Sequence, residues 1–135
     1  MVKVEAPGAG DDTRGWGPPF AGGESAYFLC TNRNKKSLTV DYKSADGVAL
    51  IRQLAERADV LIENFRPGAM ERLGLGEKLL REKNPRLVYA SLSGFGADGP
   101  RGGNPGYDAI IQAMTGMIAA TGSPESGPMR IGVPL

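Results

Sequence analysis

Asn64, Phe65 and Arg66 are the consecutive residues in this sequence that are best suited to bind a nucleotide. They follow the apolar run at 60–62, so we expect them at the carboxyl end of a buried strand, and Arg72 lies one turn into the helix predicted next. An amide, an aromatic face and two guanidinium groups suit an adenine ring and its phosphates. For Phe65, packing beneath its own loop is the alternative.

A second candidate is the basic segment at 32–36, Asn-Arg-Asn-Lys-Lys, which places three cations in five residues. Lys43 lies just beyond the strand predicted after it. Most such runs form a solvated surface. Lysine and arginine also match phosphate oxygens, as a point charge and a forked donor, so a phosphate clamp remains the functional alternative.

Residues 94–99, Gly-Phe-Gly-Ala-Asp-Gly, satisfy the G-x-G-x-x-G pattern after a predicted strand. A dinucleotide fingerprint opens a helix at once, whereas here Pro100 and further loop residues intervene, and Asp98 would repel phosphate. The pattern therefore does not predict a nicotinamide or flavin site. Asp11 and Asp12 resemble turn formers or helix caps more than an acid–base pair, so no catalytic role is assigned to them.

The absence of histidine excludes the usual zinc, Ser-His and Cys-His sites within the chain. Cys30 is the only cysteine, which rules out an internal disulfide, and we expect it to be a small core residue. No metal ligands and no catalytic residue are predicted in these 135 residues.

Strand and helix patterns alternate along the chain. Strands are predicted at 2–5, 38–41, 59–65 and 87–92. Helices are predicted after Ser44, around Met70 and Leu73, around Leu79 and over 107–121, the last with Ile110, Ile111, Met114, Met117 and Ile118 on one face. This alternation predicts an α/β fold with a parallel sheet. Because ligands bind beyond the carboxyl ends of such strands, the loops at 5–10, 64–68 and 94–106 should converge at one edge.

Length and charge narrow the functional classes further. A chain of 135 residues allows one domain with a real core, and its 20 glycines and 10 prolines make that domain rich in loops. The net charge of +1 provides no overall field that would attract nucleic acid or a membrane surface. No apolar run approaches the ~20 residues that span a bilayer, so a cytoplasmic protein is expected.

Five segments taken together resemble the family III CoA-transferases, which include formyl-CoA, carnitine and succinate or glutarate CoA-transferases. The segments are Val2-Lys3-Val4-Glu5-Ala6-Pro7-Gly8, Asp11-Asp12-Thr13-Arg14, residues 32–37, residues 59–68, and Gly106-Tyr107-Asp108. The resemblance covers the chain in unbroken order.

The resemblance implies a cytoplasmic or mitochondrial enzyme with a Rossmann-like large domain, a small domain and two interlocked identical subunits. Its substrates would be an acyl-CoA and a small carboxylic acid. An aspartate would attack the donor thioester and pass through an aspartyl-CoA thioester, with no metal involved.

The same resemblance assigns CoA contacts to specific positions in this chain. They are Val40, Lys43, Asn64, Phe65, Arg66, Arg72, Asn104, Pro105, Gly106 and Tyr107. Ala6 departs from the pattern, because formyl-CoA transferase has a CoA-contacting arginine there. The racemase branch of the superfamily is the alternative enzyme, but its Gly-His-Asp motif aligns with a segment in which Tyr107 replaces the base. A standalone nucleotide-binding module is the third possibility.

Both ends of the sequence suggest missing neighbours. The chain opens in a short strand, and 131–135 resemble the approach to another strand, so the sheet is expected to be incomplete at both ends. The resemblance places the nucleophilic aspartate at the second residue beyond Leu135. Residues 1–135 are therefore expected to be a fragment of the CoA-binding large domain, inactive by itself.

Overall fold

The computed structural model describes residues 1–132. It contains short parallel strand pairs connected through helices, which confirms the predicted α/β class. The chain forms two compact units, the first comprising Met1–Leu54 and the second beginning at Ala55.

The first unit is built on a parallel pair of strands. Its elements are β1 (Val2–Glu5), a 3-10 helix (Asp12–Gly15), β2 (Phe20–Ala21), β3 (Glu24–Ser25), α1 (Ala26–Thr31), β4 (Lys36–Thr39) and most of α2 (Ala45–Ala55). Strand β1 pairs with β4 in parallel, from Val2 opposite Lys36 to Glu5 opposite Thr39. Strands β2 and β3 form a short antiparallel hairpin.

Strand β4 begins two residues earlier than the apolar pattern predicted, because its bounds depend on pairing with β1. The Lys36 amide donates to the Met1 carbonyl at 3.1 Å. The helix start predicted at Ser44 is confirmed, since its Oγ accepts from the Gly47 amide at 3.1 Å. A β-carbon at Gly47 would lie 2.0 Å from the Asp41 carbonyl oxygen, so only glycine allows α2 to begin there.

Helix α1 is fixed by a buried serine. Ser25 is fully buried, accepts from the Phe28 amide at 3.0 Å and donates to the Thr13 carbonyl at 2.5 Å. On the same helix, the Tyr27 ring centroid lies 5.6 Å from that of Trp16. Cys30 is exposed, so the expectation of a core cysteine was wrong: it lies on the outer side of a six-residue helix.

The second unit also contains a parallel strand pair. Its elements are β5 (Val60–Glu63), α3 (Ala69–Arg72), α4 (Glu77–Lys83), β6 (Val88–Ser91), α5 (Asp108–Met114), α6 (Met117–Ala120), β7 (Gly122–Ser123) and β8 (Gly127–Pro128). Strand β5 pairs with β6 in parallel, from Val60 opposite Val88 to Glu63 opposite Ser91. None of the helices within residues 1–132 is long and apolar enough to cross a membrane.

The apolar core of the second unit is formed by side chains from its helices and from the segments that connect them. Its buried side chains are Ala55, Met70, Leu75, Leu80 and Leu87. Asn84, predicted to end a helix, follows α4 and donates to the carbonyls of Ala55 at 3.0 Å and Ala58 at 2.8 Å. The amide thereby satisfies two main-chain acceptors at the end of α2.

The helix predicted over 107–121 is interrupted. Gly116 adopts φ +82° between α5 and α6, a left-handed conformation that ends the first helix. The predicted apolar face is also wrong in part, since Ile110 and Met114 are 52% and 45% exposed whereas Gln112 is 1% exposed. Ile131 and Gly132 lie outside any strand, and the rest of the predicted strand approach, 133–135, lies outside the described residues.

We expect Leu80→Ala to destabilise the second unit by about 3 kcal/mol, because it leaves a cavity in a close-packed core. The neighbouring Leu79 is 39% exposed on the same helix, so Leu79→Ala should cost less than about 1 kcal/mol. Urea unfolding followed by circular dichroism measures both values. Equal costs for the two variants would contradict the assigned core.

Candidate functional site

The carboxyl ends of β5 and β6 are tied together one step beyond the ladder. The Leu92 amide donates to the Glu63 carbonyl at 2.9 Å, and the side-chain amide of Asn64 donates to the Leu92 carbonyl at 2.5 Å. The loops that follow the two strands therefore leave the sheet side by side. This confirms the expected convergence for these two loops, while the loop after β1 belongs to the first unit.

The loop between β5 and α3 presents an aromatic ring and two guanidinium groups. The Phe65 amide donates to Glu63 Oε2 at 2.7 Å, and its side chain is 40% exposed, so the ring is not buried beneath its loop. Arg66 is exposed, and its carbonyl accepts from the Ala69 amide at 3.0 Å. Arg72, also exposed, brings Nη1 to 3.1 Å from where a β-carbon of Gly68 would lie. The Arg72 guanidinium therefore folds back over this loop.

The loop between β6 and α5 is closed by contacts between glycines. A β-carbon at Gly94 would lie 2.6 Å from the Gly106 carbonyl oxygen, so the two backbones meet closely where β6 ends. The Gly103 amide donates to the Gly96 carbonyl at 3.0 Å. The next helix begins only at Asp108, which supports rejecting the dinucleotide pattern.

The predicted CoA-contacting residues of this second loop lie at its exposed end. Asn104 and Pro105 are exposed, Gly106 is half-buried, and Tyr107 is 81% exposed. The second unit thus brings the segment that starts at Asn64 and the backbone of Gly106 to the same end of the β5–β6 pair. An exposed aromatic ring, two cations and accessible backbone are together suited to a nucleotide with an extended arm.

Val40 and Lys43 belong to the first unit. Val40 is 5% exposed, and its amide donates to the Glu5 carbonyl at 2.9 Å, which extends the β1–β4 ladder. Lys43 is exposed and immediately precedes Ser44, which caps α2. The side chain of Lys43 offers a charge to a ligand, whereas Val40 is largely covered.

The basic segment at 32–36 lies on the surface of the first unit. Arg33, Lys35 and Lys36 are all exposed, and Asn34 adopts φ +62° in the turn before β4. This placement fits the solvated-face interpretation, and it leaves the same cations accessible to phosphate.

A buried polar cluster in the first unit was missed by sequence reasoning. Glu5 is 6% exposed, and Arg14 donates to both of its carboxylate oxygens at 3.1 Å and to Glu24 at 2.8 Å. The Arg14 guanidinium also lies 4.0 Å from the Phe28 ring centroid. Alternation in β1 favours burial of Val2 and Val4, but these are 52% and 38% exposed and Glu5 faces inward instead. Nothing local in the sequence identified Arg14 as the partner of Glu5.

The ionisation of Glu5 follows from these contacts. Burial opposes the charged carboxylate, but hydrogen bonds from Ser37 and Arg14 and the positive charges of Arg14 and Lys3 outweigh it and lower the Glu5 pKa. Because Arg14 is already held by Glu5 and Glu24, we interpret this cluster as a structural brace for the loop after β1.

Asp11 caps the 3-10 helix, which agrees with the interpretation of the aspartates as turn formers or helix caps. Its Oδ1 accepts from the Thr13 amide at 2.8 Å, and Lys3 forms an ion pair with its other oxygen. Burial would raise its pKa, but hydrogen bonds from Lys3 and Thr13 and the charge of Lys3 prevail and lower the Asp11 pKa to about 2.

Comparison with known proteins shows similarity along the whole chain. The family model described as CoA-transferase family III matches residues 1–135. Succinyl-CoA:glutarate CoA-transferase of Homo sapiens is 47% identical over 133 residues, which cover 98% of this chain and 30% of that protein. Acetyl-CoA:oxalate CoA-transferase of Acetobacter aceti is 49% identical over 97% of this chain and 33% of that protein.

Solved structures give the same result. The crystal structure of a CAIB/BAIF family protein from Brucella suis matches with a TM-score of 0.91 and 46% identity, over 98% of this chain and 36% of that one. The chain therefore spans about a third of the length of the relatives that it matches.

We expect the stability of the first unit to fall as the pH drops from about 4 to about 2. The Asp11 pKa is lowered by folding from about 3.9, so its contribution is complete above the unfolded pKa and is lost as the native carboxylate is protonated. Asp11→Asn keeps a capping oxygen and should reduce this loss of stability at low pH, the acid limb of the stability curve. Calorimetry from pH 2 to 6 measures the stability of each form.

Asp12→Asn is the matched control, because Asp12 is exposed and takes no part in the pair with Lys3. It should retain the acid limb of the unsubstituted protein. If Asp11→Asn retains it as well, the Lys3–Asp11 pair does not contribute to stability.

Proposed function

Because this chain belongs to CoA-transferase family III, we propose that the protein transfers CoA from an acyl-CoA donor to a carboxylic acid acceptor. The observation that carries the proposal is the family match over all 135 residues. Relatives named for transfer between succinyl-CoA and glutarate, and between acetyl-CoA and oxalate, support it. The loops that converge at the ends of β5 and β6 supply groups of the kind that CoA binding needs.

In the second unit, CoA binds at the ends of β5 and β6. Arg66 and Arg72 hold phosphate oxygens, because guanidinium groups donate paired hydrogen bonds to phosphate. Phe65 flanks the adenine ring, and Asn64 holds the loop in place through the Leu92 carbonyl. The pantetheine arm passes along the surface formed by Asn104, Pro105, Gly106 and Tyr107.

In the first unit, Lys43 offers an exposed charge to a phosphate group. Its exposed position beside the cap of α2 supports this role. The side chain of Val40 is largely buried, so Val40 contributes main-chain atoms to the proposed contact.

The reaction proceeds through an aspartate that follows this chain in the sequence. Its carboxylate attacks the donor thioester carbonyl and expels the CoA thiolate. The aspartate and the donor acyl group are then joined as a mixed anhydride. The thiolate then attacks the aspartyl carbonyl, releasing the donor acid and leaving an aspartyl-CoA thioester. The acceptor carboxylate attacks that thioester, and the thiolate returns to the acceptor carbonyl, which frees the aspartate.

In this proposal residues 1–135 are part of a Rossmann-like, CoA-binding large domain of a cytoplasmic homodimer. Exposed apolar side chains on the paired strands support burial by further protein surface, since Val60, Ile62 and Val88 are each at least 51% exposed. Light scattering of the purified enzyme measures its subunit number.

We expect Arg66→Met and Arg72→Met each to weaken CoA binding about tenfold, because each removes a charge-assisted hydrogen bond to phosphate. Titration calorimetry with CoA measures the affinity, and pantetheine, which lacks the nucleotide, should bind equally to all forms. Arg81→Met is the matched control, since Arg81 is an exposed arginine paired with Glu77 on α4.

Unchanged CoA affinity in both variants would contradict the assigned phosphate contacts. Transfer is tested separately, by following CoA exchange between an acyl-CoA and a dicarboxylic acid in a form of the protein that extends beyond Leu135. CoA binding without any transfer by that form would instead indicate a nucleotide-binding module.

A further inference from the structure

Gln112 is a buried amide whose contacts join two separate parts of the second unit. It lies on α5 and is 1% exposed. Its Nε2 donates to both carboxylate oxygens of Asp108, at 3.0 and 2.9 Å. Its Oε1 accepts from the Ile131 main-chain amide at 2.9 Å, and Nε2 lies 3.5 Å from the Ile131 carbonyl oxygen. The amide thus meets both main-chain polar groups of a residue 19 positions away in sequence.

The orientation of this amide is determined by its partners. A carboxylate accepts hydrogen bonds and a main-chain N–H donates them, so Nε2 must face Asp108 and Oε1 must face Ile131. A flipped amide would set its oxygen against a carboxylate and its NH₂ against an N–H. Gln112 therefore has a single arrangement in which its buried polar atoms are satisfied.

A role confined to the helix does not explain these contacts. A pair of side chains at i and i+4 contributes little to the stability of a helix, and an exposed pair does so equally well. Burying a polar amide is costly unless it is fully bonded, and here the bonding is completed by a distant segment. Ile131 lies outside any strand, and the Gln112 side chain pairs with its main-chain groups in place of a neighbouring strand.

We propose that Gln112 is a positioning residue that fixes the main chain at Ile131 relative to the start of α5. Asp108 directly follows Tyr107, so one side chain connects the end of the proposed CoA-binding loop to the segment around Ile131. This inference rests on the proposed function, in which the nucleophilic aspartate follows a few residues after Ile131. Holding both segments sets where that aspartate meets the thioester.

Hydrogen exchange at the Ile131 amide tests the placement directly. Gln112→Met keeps the size of the side chain but cannot accept from Ile131, so exchange there should accelerate roughly tenfold. Gln112→Glu sets a second carboxylate against Asp108 and should also accelerate it. The double variant Asp108→Asn with Gln112→Glu exchanges the amide and the carboxylate, keeps an acceptor for Ile131, and should return exchange to within about threefold of the original rate.

Two controls make this measurement decisive. Gln53 is exposed on α2, so Gln53→Met should leave Ile131 exchange unchanged. Protection of the β5 amides reports whether the unit remains folded. If Gln112→Met loses that protection, the double variant decides. Unchanged Ile131 exchange in folded Gln112→Met, or a double variant as fast as Gln112→Glu alone, overturns the proposal.

Turnover tests the catalytic consequence, in the form of the protein that extends beyond Leu135. Gln112→Met should lower kcat by roughly tenfold or more, because misplacing a reacting group is costly, while KM for the acyl-CoA changes less than about threefold. A change in KM alone, or no change in either constant, overturns the positioning role. If the unsubstituted protein transfers no CoA, the proposed function fails, whereas Ile131 exchange still decides the placement of Gln112.

Discussion

The parallel pairing of β5 with β6 is the constraint on which the candidate site depends. It brings the carboxyl ends of both strands to one edge, and the bonds from Leu92 to Glu63 and from Asn64 to Leu92 extend that alignment beyond the strands. Both loops start from this edge. The backbones of Gly94 and Gly106 lie in close contact, so the end of the second loop lies beside its start before α5 begins. The positions of Phe65, the arginines and Gly106 therefore follow from one ladder.

Arg14 in the first unit and the two arginines of the candidate site in the second unit have opposite surroundings. In the first unit, Arg14 is held between Glu5 and Glu24 and lies against an aromatic ring, an arrangement that stabilises a loop. In the second unit, Arg66 and Arg72 remain exposed beside glycine-rich backbone. An arginine matched by buried carboxylates has little capacity left for an anion, whereas an exposed one can exchange water for phosphate oxygens. Burial and pairing, more than residue type, distinguish a brace from a binding group.

Local patterns in the sequence predicted what local physics controls. The strand cores at Val2–Glu5 and Val60–Glu63, the cap at Ser44 and the helix end at Asn84 could all be predicted, because apolar alternation, capping oxygens and proline act within a few residues. The motif segments also indicated the family correctly.

Features that depend on distant partners could not be predicted in this way. The earlier start of β4 requires the Met1 carbonyl, and Arg14 becomes a brace only where Glu5 and Glu24 meet it. Gln112 replaced the expected apolar face because Ile131 completes its hydrogen bonds. A glutamine four residues after an aspartate, in an otherwise apolar helix, was the one signal available. The CoA contacts assigned to Val40, Lys43 and the two loops remain predictions.

The position of Trp16 determines the intrinsic fluorescence of this protein. It is the only tryptophan, it lies in the first unit, and its ring is 5.6 Å from that of Tyr27. Light absorbed by Tyr27 is therefore passed to Trp16 while α1 and the 3-10 helix stay together. Tyr89 and Tyr107 belong to the second unit, which has no tryptophan of its own. Tryptophan emission therefore reports on the first unit, whose melting can be followed in an unlabelled sample.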